Sequence, residues 1–239
     1  MEVITLGSAY VNWYLLRSSE GVVVIDTGFP GYLSQLEQAL ENYQIDPKEL
    51  KAILLTHSHN DHIGCAEAIR QRFQVPVYLH EADLSSAKKI NHFPPLWFVK
   101  NCWRLPVLKS MFHALFRGKT VATIALKEVI SFTDDEELPV PGKPIVIHTP
   151  GHTLGESCFY FTEAGLLFSG DALVTKNVFT GSEGEPQLLH NSINPDPLLA
   201  KQSLEKLREI GEITLYPGHG KLWKGNLHEA LFQEKILKL

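Results

Sequence analysis

Apolar and polar positions fall into short alternating blocks from the first residues on. EVITL at 2–6, NWYLLR at 12–17 and GVVVID at 21–26 are separated by Gly, Ser and Asn, and this rhythm predicts three consecutive strands. After Pro30 the period changes, with Leu33, Leu36, Ala39 and Leu40 on one helical face before Asn42 and the Asp46-Pro47 turn. KAILLTH at 51–57 reads as a buried strand, DHIGCAEAIRQRF at 61–73 as a helix, and PVYLH at 76–80 as a further strand. Beyond residue 127, PIVIHT, SCFYFT and GLLFSGD read as strands, the last two joined by a turn at Glu163-Ala164-Gly165. A helix over 195–210, the strand EITLYPGHG at 212–220 and a closing helix over 228–239 complete the pattern. Strands alternating with helices, with no low-complexity linker, predict one α/β domain over 1–239 with two mixed sheets inside and helices outside.

Composition changes this picture at one place. The 239 residues carry a net charge of −5 and are 44% apolar, which excludes a disordered chain. Residues 84–127 hold eight Lys and Arg with no Asp or Glu, leaving −13 on the remainder. A basic stretch in an acidic body excludes a protein that binds nucleic acid over its whole surface. Cys65, Cys102 and Cys158 show no C-x-x-C spacing, and no window approaches the ~18 consecutive apolar residues of a membrane span. A reduced cytoplasmic protein is the expectation.

The candidate chemistry begins at Thr56-His57-Ser58-His59-Asn60-Asp61-His62, where a predicted strand gives way to a predicted helix. His57 and His59 alternate along an extended loop and reach one ion, while Asp61 and His62 start the helix and turn towards a second. Three more candidates end predicted strands: His152 after Pro150-Gly151, Asp171 after Ser169-Gly170, and His219 after Pro217-Gly218. Side chains at strand ends stand on a rigid frame and face an open cleft. Together they supply five His and two Asp, enough for two metals with one carboxylate between them.

HSHNDH, GHT, SGD and PGHG, in this order and preceded by VIDTG at Asp26, resemble the motif set of the metallo-β-lactamase superfamily. The resemblance runs from Asp26 to His219 and leaves out 84–127. It implies a four-layer αββα sandwich holding two divalent metal ions, zinc first, with Fe, Mn, Ni or Co also suited to these donors. His57, His59 and His152 would hold the first ion, Asp61, His62 and His219 the second, and Asp171 would bridge them. A hydroxide between the ions would attack the substrate, oriented by Asp61 as the catalytic acid–base group. Asp26 matches the family's acidic residue beside the metal loop and would orient a ligand.

Departures from subfamily patterns narrow the expected reaction. Asp171 stands where common zinc β-lactamases carry Cys, and His59 where flavodiiron proteins carry Glu. ALVTKNVF follows Asp171 where persulfide dioxygenases carry Gly-Arg-x-Asp, and Val174 stands where quorum-quenching lactonases carry Tyr. Only 20 residues follow His219, too few for the glutathione-binding helical domain of glyoxalase II. The remaining expectation is a metal-dependent hydrolase of the glyoxalase II-like branch, cleaving a small or amphiphilic ester, thioester or lactone. An iron-dependent, persulfide dioxygenase-like redox enzyme and a nuclease or phosphodiesterase of the same fold are the alternatives. Nucleic acid is not an expected partner, because 44 residues are few for the exosite such nucleases add.

The 84–127 segment intersperses its cations with Phe93, Trp97, Phe98, Trp103, Phe112 and Phe116. Its apolar spacing predicts two short amphipathic helices broken at Pro106. By the same resemblance it is an active-site lid whose aromatics line the pocket, with Trp97, Trp103 and, from the loop after Asp171, His190 as candidate substrate contacts. Aromatics covering a sheet edge, a peripheral membrane contact and a homodimer interface are the other readings of the segment.

Overall fold

The computed structural model describes residues 1–89, 96–122 and 125–232. The first half contains β1 (Glu2–Gly7), β2 (Asn12–Ser18), β3 (Gly21–Ile25), α1 (Leu33–Asn42), β4 (Leu50–Leu54), α2 (Ala66–Phe73) and β5 (Val77–His80). Helices α3 (Leu84–Ala87), α4 (Leu96–Asn101) and α5 (Leu105–Phe116) follow, then β6 (Ile130–Phe132). The second half contains β7 (Ile145–His148), β8 (Ser157–Phe161), β9 (Leu166–Gly170), β10 (Val174–Lys176), β11 (Glu183–Gln187), α6 (Pro197–Ser203), β12 (Glu212–Pro217), β13 (Trp223–Asn226) and α7 (Leu227–Phe232).

One sheet runs β1-β2-β3-β4-β5-β6, antiparallel up to β3 and parallel from β3 onward. The other runs β13-β12-β9-β8-β7, with β9 and β12 parallel. Side-chain alternation along the strands sorts the apolar residues into three layers. Tyr14, Leu16, Val23, Ile25 and Leu54 of the first sheet meet Val146, Phe159, Phe161 and Phe168 of the second. Their neighbours Trp13, Leu15, Val22 and Val24 face the opposite way, onto Leu36, Ala39 and Leu40 of α1 and Ile69 of α2. Cys158, Leu167 and Leu215 face Ala200 of α6 and Leu227 of α7. The fold is therefore the four-layer αββα sandwich, because the central strands of each sheet bury both faces. Burying each of these large side chains contributes about 1.5–3 kcal/mol.

Four local departures from the expected pattern have physical reasons. The helix expected from Asp61 starts only at Ala66: Gly64 is pressed on the Gly28–Pro30 backbone, and its N–H donates to the Gly28 carbonyl at 2.9 Å, which holds 61–65 in turns. The 195–210 helix is α-helical only to Ser203 and tightens into a 3₁₀ turn over Leu204–Leu207. Pro106 sits in the first turn of α5, where its missing N–H costs nothing, so the break falls before it, at 102–104. The short strands β6, β10, β11 and β13 carry too few apolar residues to register as strands on their own, and pairing creates them. The last part of the expected closing helix, 233–239, lies outside the described residues.

Candidate metal centre

The candidate residues follow five strand ends. Asp26 follows β3, the loop holding His57, His59, Asp61 and His62 follows β4, and His152, Asp171 and His219 follow β7, β9 and β12. β3 and β4 run parallel; β7 and β9 are both antiparallel to β8, and β12 is parallel to β9, so within each sheet these carboxyl ends point to one rim. The two rims are tied together. Asn12 N–H donates to the Gly218 carbonyl at 2.7 Å, the Tyr14 hydroxyl to the Pro217 carbonyl at 2.6 Å, and Ser157 N–H to the Thr56 carbonyl at 3.0 Å.

All seven predicted donors converge there. Donor atoms of His57, His59 and His152 lie within 4.8 Å of one another, as do those of Asp61, His62 and His219 and those of His57, His62 and Asp171. Asp171 stands between the sets: its carboxylate oxygens are 3.3 Å from His152 Nε2, 3.1 Å from His219 Nε2 and 3.5 Å from His62 Nε2. His57 Nε2, His62 Nε2 and Asp171 Oδ1 are buried with no hydrogen-bond partner in the protein. Buried polar atoms are ordinarily satisfied, so three orphaned lone pairs in one cluster fit a site that takes cations.

The far nitrogens of the rings are held from behind. His62 Nδ1 donates to Asp26 Oδ2 at 2.8 Å, His152 Nδ1 to Asn194 Oδ1 at 3.1 Å, and His219 Nδ1 to the Tyr10 carbonyl. His57 Nδ1 lies 3.1 Å from both Glu156 Oε2 and Thr56 Oγ1. Each contact leaves Nε2 facing the centre and sets the ring angle. Asp26 also accepts from Thr56 N–H at 2.8 Å and adopts φ +56°, a strained backbone for a non-glycine residue that recurs at functional sites. Asp83 accepts from Ser58 N–H and Gly155 N–H, joining the two metal loops at 2.9 and 2.8 Å. Tyr10, Asp83, Glu156 and Asn194 carried no motif signal, since their roles depend on contacts 15 to 209 residues distant in sequence.

Burial and charge divide the histidines. Burial lowers the pKa of His57 and His59 and brings that of His152 down to about 4, with neighbouring imidazoles contributing at His57 and His152. Burial would lower His62 as well, but Asp26, Asp171 and Asp61 outweigh it and raise that ring to about 10; Asp171 raises His219 in the same way. A metal ligand must be a neutral imidazole. In the metal-free protein burial favours the neutral imidazole at His57 and His152, whereas the carboxylates around His62 favour its protonated form up to about pH 10. Loading of the Asp61-His62-His219 group is therefore expected to release about one proton or more per ion and to strengthen as pH rises from 6 to 9, while loading of the His57-His59-His152 group changes little. Titration calorimetry in buffers of different ionisation enthalpy reads this directly; two ions with the same pH dependence would contradict it.

A cavity of about 530 Å³ opens over the cluster. Its walls include Tyr10, Phe29, His59, Asp61, Leu154, Val178, Leu189 and Ile193, with Ser85, Ser86, Ser110, Ala114 and Thr120 from the 84–127 segment. Among its described residues, the segment walls the cavity with small side chains, and Trp103, Phe112 and Phe116 do not line it. Trp103 is no lining residue: its ring is 74% exposed, with the Arg104 guanidinium 4.8 Å away. His190 is none either, because it stacks on Phe179 at 3.9 Å and accepts from Ser192 N–H. The side chains of Phe93, Trp97 and Phe98 lie outside the described residues.

The sequence profile of the metallo-beta-lactamase superfamily matches residues 6–219. The chain belongs to this superfamily. A relative from Bacillus subtilis (strain 168), named "Probable metallo-hydrolase YqgX", is 30% identical over 217 residues, covering 90% of this chain and 87% of its own. Two solved superfamily structures align over nearly full length. One, titled as TTHA1623 in a di-iron-bound form, has a TM-score of 0.63 at 28% identity and covers 94% of both chains. The other, titled as BLEG-1 B3 metallo-beta-lactamase, has a TM-score of 0.62 at 26% identity and covers 93% of both.

Proposed function

We propose that the protein is a dinuclear metal-dependent hydrolase of an uncharged acyl substrate: an ester, thioester or lactone. The observation that carries this reading is the wall of the cavity. Among the described lining residues there is no Lys or Arg. Phosphoryl substrates and nucleic acids are recognised through cationic donors, so a wall that carries Asp61 and Asp83 beside hydroxyls and aliphatic side chains, with no Lys or Arg, favours an uncharged carbonyl substrate. The cavity's position over the orphaned donor atoms supports this reading, since a carbonyl bound there would lie beside the centre.

His57, His59 and His152 would hold one ion, and Asp61, His62 and His219 the other, with Asp171 between them; zinc is the expected metal. Two such ions supply an acidified water and a Lewis acid for the carbonyl oxygen. The chain's own residues do the rest. Asp61 lines the cavity with its side chain 27% exposed and Oδ2 3.8 Å from His219 Nε2, placed to take a proton from the nucleophile and pass it to the leaving group. Ser85, Ser86, Ser110 and Thr120 can hydrogen-bond the polar end of the substrate, while Val178, Leu189 and Ile193 cover its acyl part. Asp26, Glu156 and Asn194 keep the imidazoles aimed without touching substrate.

The test is a substrate panel with the zinc-loaded protein. Aryl esters, acyl thioesters and γ-lactones are expected to turn over at least about tenfold faster in kcat/KM than phosphodiesters and β-lactams. Preferred cleavage of a phosphodiester or a penicillin would overturn the substrate class. The di-iron-bound relative keeps a redox enzyme as the second reading. Metal quantified after purification without added metal separates the two, since iron together with dioxygen uptake would replace the hydrolase.

A further inference from the structure

Helix α5 uses both of its sides. Ser110 and Ala114 face the cavity and Val107 packs with Val174, Phe179 and Leu189. On the opposite side, Leu105, Lys109, Phe112 and Phe116 form a stripe at i, i+4, i+7 and i+11, all exposed, with Phe112 and Phe116 stacked at 5.7 Å. Val99, Trp103 and Val121 add to the exposed apolar surface at 52, 74 and 76% accessibility. Lys100, Arg117 and Lys119 are exposed on the same segment. The adjoining loop, where Gly181 packs on Pro106, carries Glu183, which is paired with Lys176 at 2.6 Å.

We propose that this outer face is a docking surface for an anionic lipid bilayer. Large aromatics in water have no value to a monomer and a cost in solubility, and clusters of them mark interaction sites. The charge selects the occupant. The segment holds eight cations and no acid, so a two-fold contact with a second copy through the same face would set Lys and Arg against Lys and Arg. An anionic headgroup layer satisfies the cations while Phe112, Phe116 and Leu105 enter the acyl boundary and Trp103 sits at its edge. The cavity lies on the other flank of the same helix, so a bound molecule would keep that cavity wall about one helix diameter from the lipid.

The test uses the metal-loaded full chain and needs no substrate, so its outcome is separate from that of the hydrolase reading. Co-sedimentation with vesicles of equal parts phosphatidylcholine and phosphatidylglycerol is expected to be at least about tenfold stronger than with phosphatidylcholine alone and to weaken with added salt. Trp103 emission should shift to the blue on binding, a change absent from Trp103→Phe. Phe112→Ser with Phe116→Ser should weaken binding about tenfold or more while metal content and melting temperature are retained. Lys109→Glu with Lys119→Glu is the second variant, expected to abolish the preference for anionic vesicles. No vesicle binding, equal binding to neutral vesicles, or binding indifferent to both variants overturns the proposal. So does a dimer in sedimentation equilibrium that the Phe variant dissolves.

Discussion

Asp171→Asn is expected to leave a folded protein that retains at most one ion per chain and has lost about 10³-fold or more in turnover. The Asp171 carboxylate is in contact range of ring nitrogens from both triads, 3.3 Å from His152 and 3.1 Å from His219. An amide of the same shape keeps the packing but removes the charge that would offset two cations, a loss of several kcal/mol at about 1.4 kcal/mol per tenfold. The metal-free variant reports the same change independently. Asp171 is the main charge raising the His219 pKa, so that value should fall in an imidazole NMR titration of the variant. Full metal content with near-normal turnover would rule out a bridging carboxylate.

Gly218→Ala should disable the second triad through sterics alone. A Cβ at this position would lie 2.5 Å from Asp171 Oδ1, 2.8 Å from His62 Cε1 and 2.9 Å from the Gly170 carbonyl. The backbone cannot swing away, because Gly218 N–H donates to the Gly170 carbonyl and its own carbonyl accepts from Asn12 N–H, both at 2.7 Å. Asp171 and His62 must move instead. A displacement near 1 Å costs about 10²-fold in turnover, and overpacking here costs about 1–3 kcal/mol of stability. Metal analysis should find the Asp61-His62-His219 ion lost first. A variant with both ions and unchanged melting temperature would show that the strand end is softer than its hydrogen bonds indicate.

These two residues illustrate what was legible before folding. Asp171 was visible because a Gly-Asp step at the end of an apolar run belongs to a motif set in a known order. Gly218 was visible as punctuation, but its clash with Asp171 joins positions 47 residues apart and no local pattern encodes it. Glu156 was overlooked for a similar reason: its neighbour His152 carried the motif, while its own contacts are Asp171 N–H and His57. Trp103, Phe112 and Phe116 stand outside the cavity because helical periodicity tells which residues share a face, not which face turns inward. Small Ser110 and Ala114 fill the side against the body, and Phe112 and Phe116 are left outside.

The order of the long strands and helices, the seven donor residues and the charge split are all present in the linear chain, because local patterning and side-chain chemistry need no distant partner to be recognised. The pairing of the two triads around Asp171, the carboxylates and carbonyls behind the rings, a cavity wall whose described residues include no Lys or Arg, and the outward face of Phe112 and Phe116 emerged only on folding. Each depends on which strand ends share a rim and which helix face meets the sheets, and those choices are made by burial summed over the whole core.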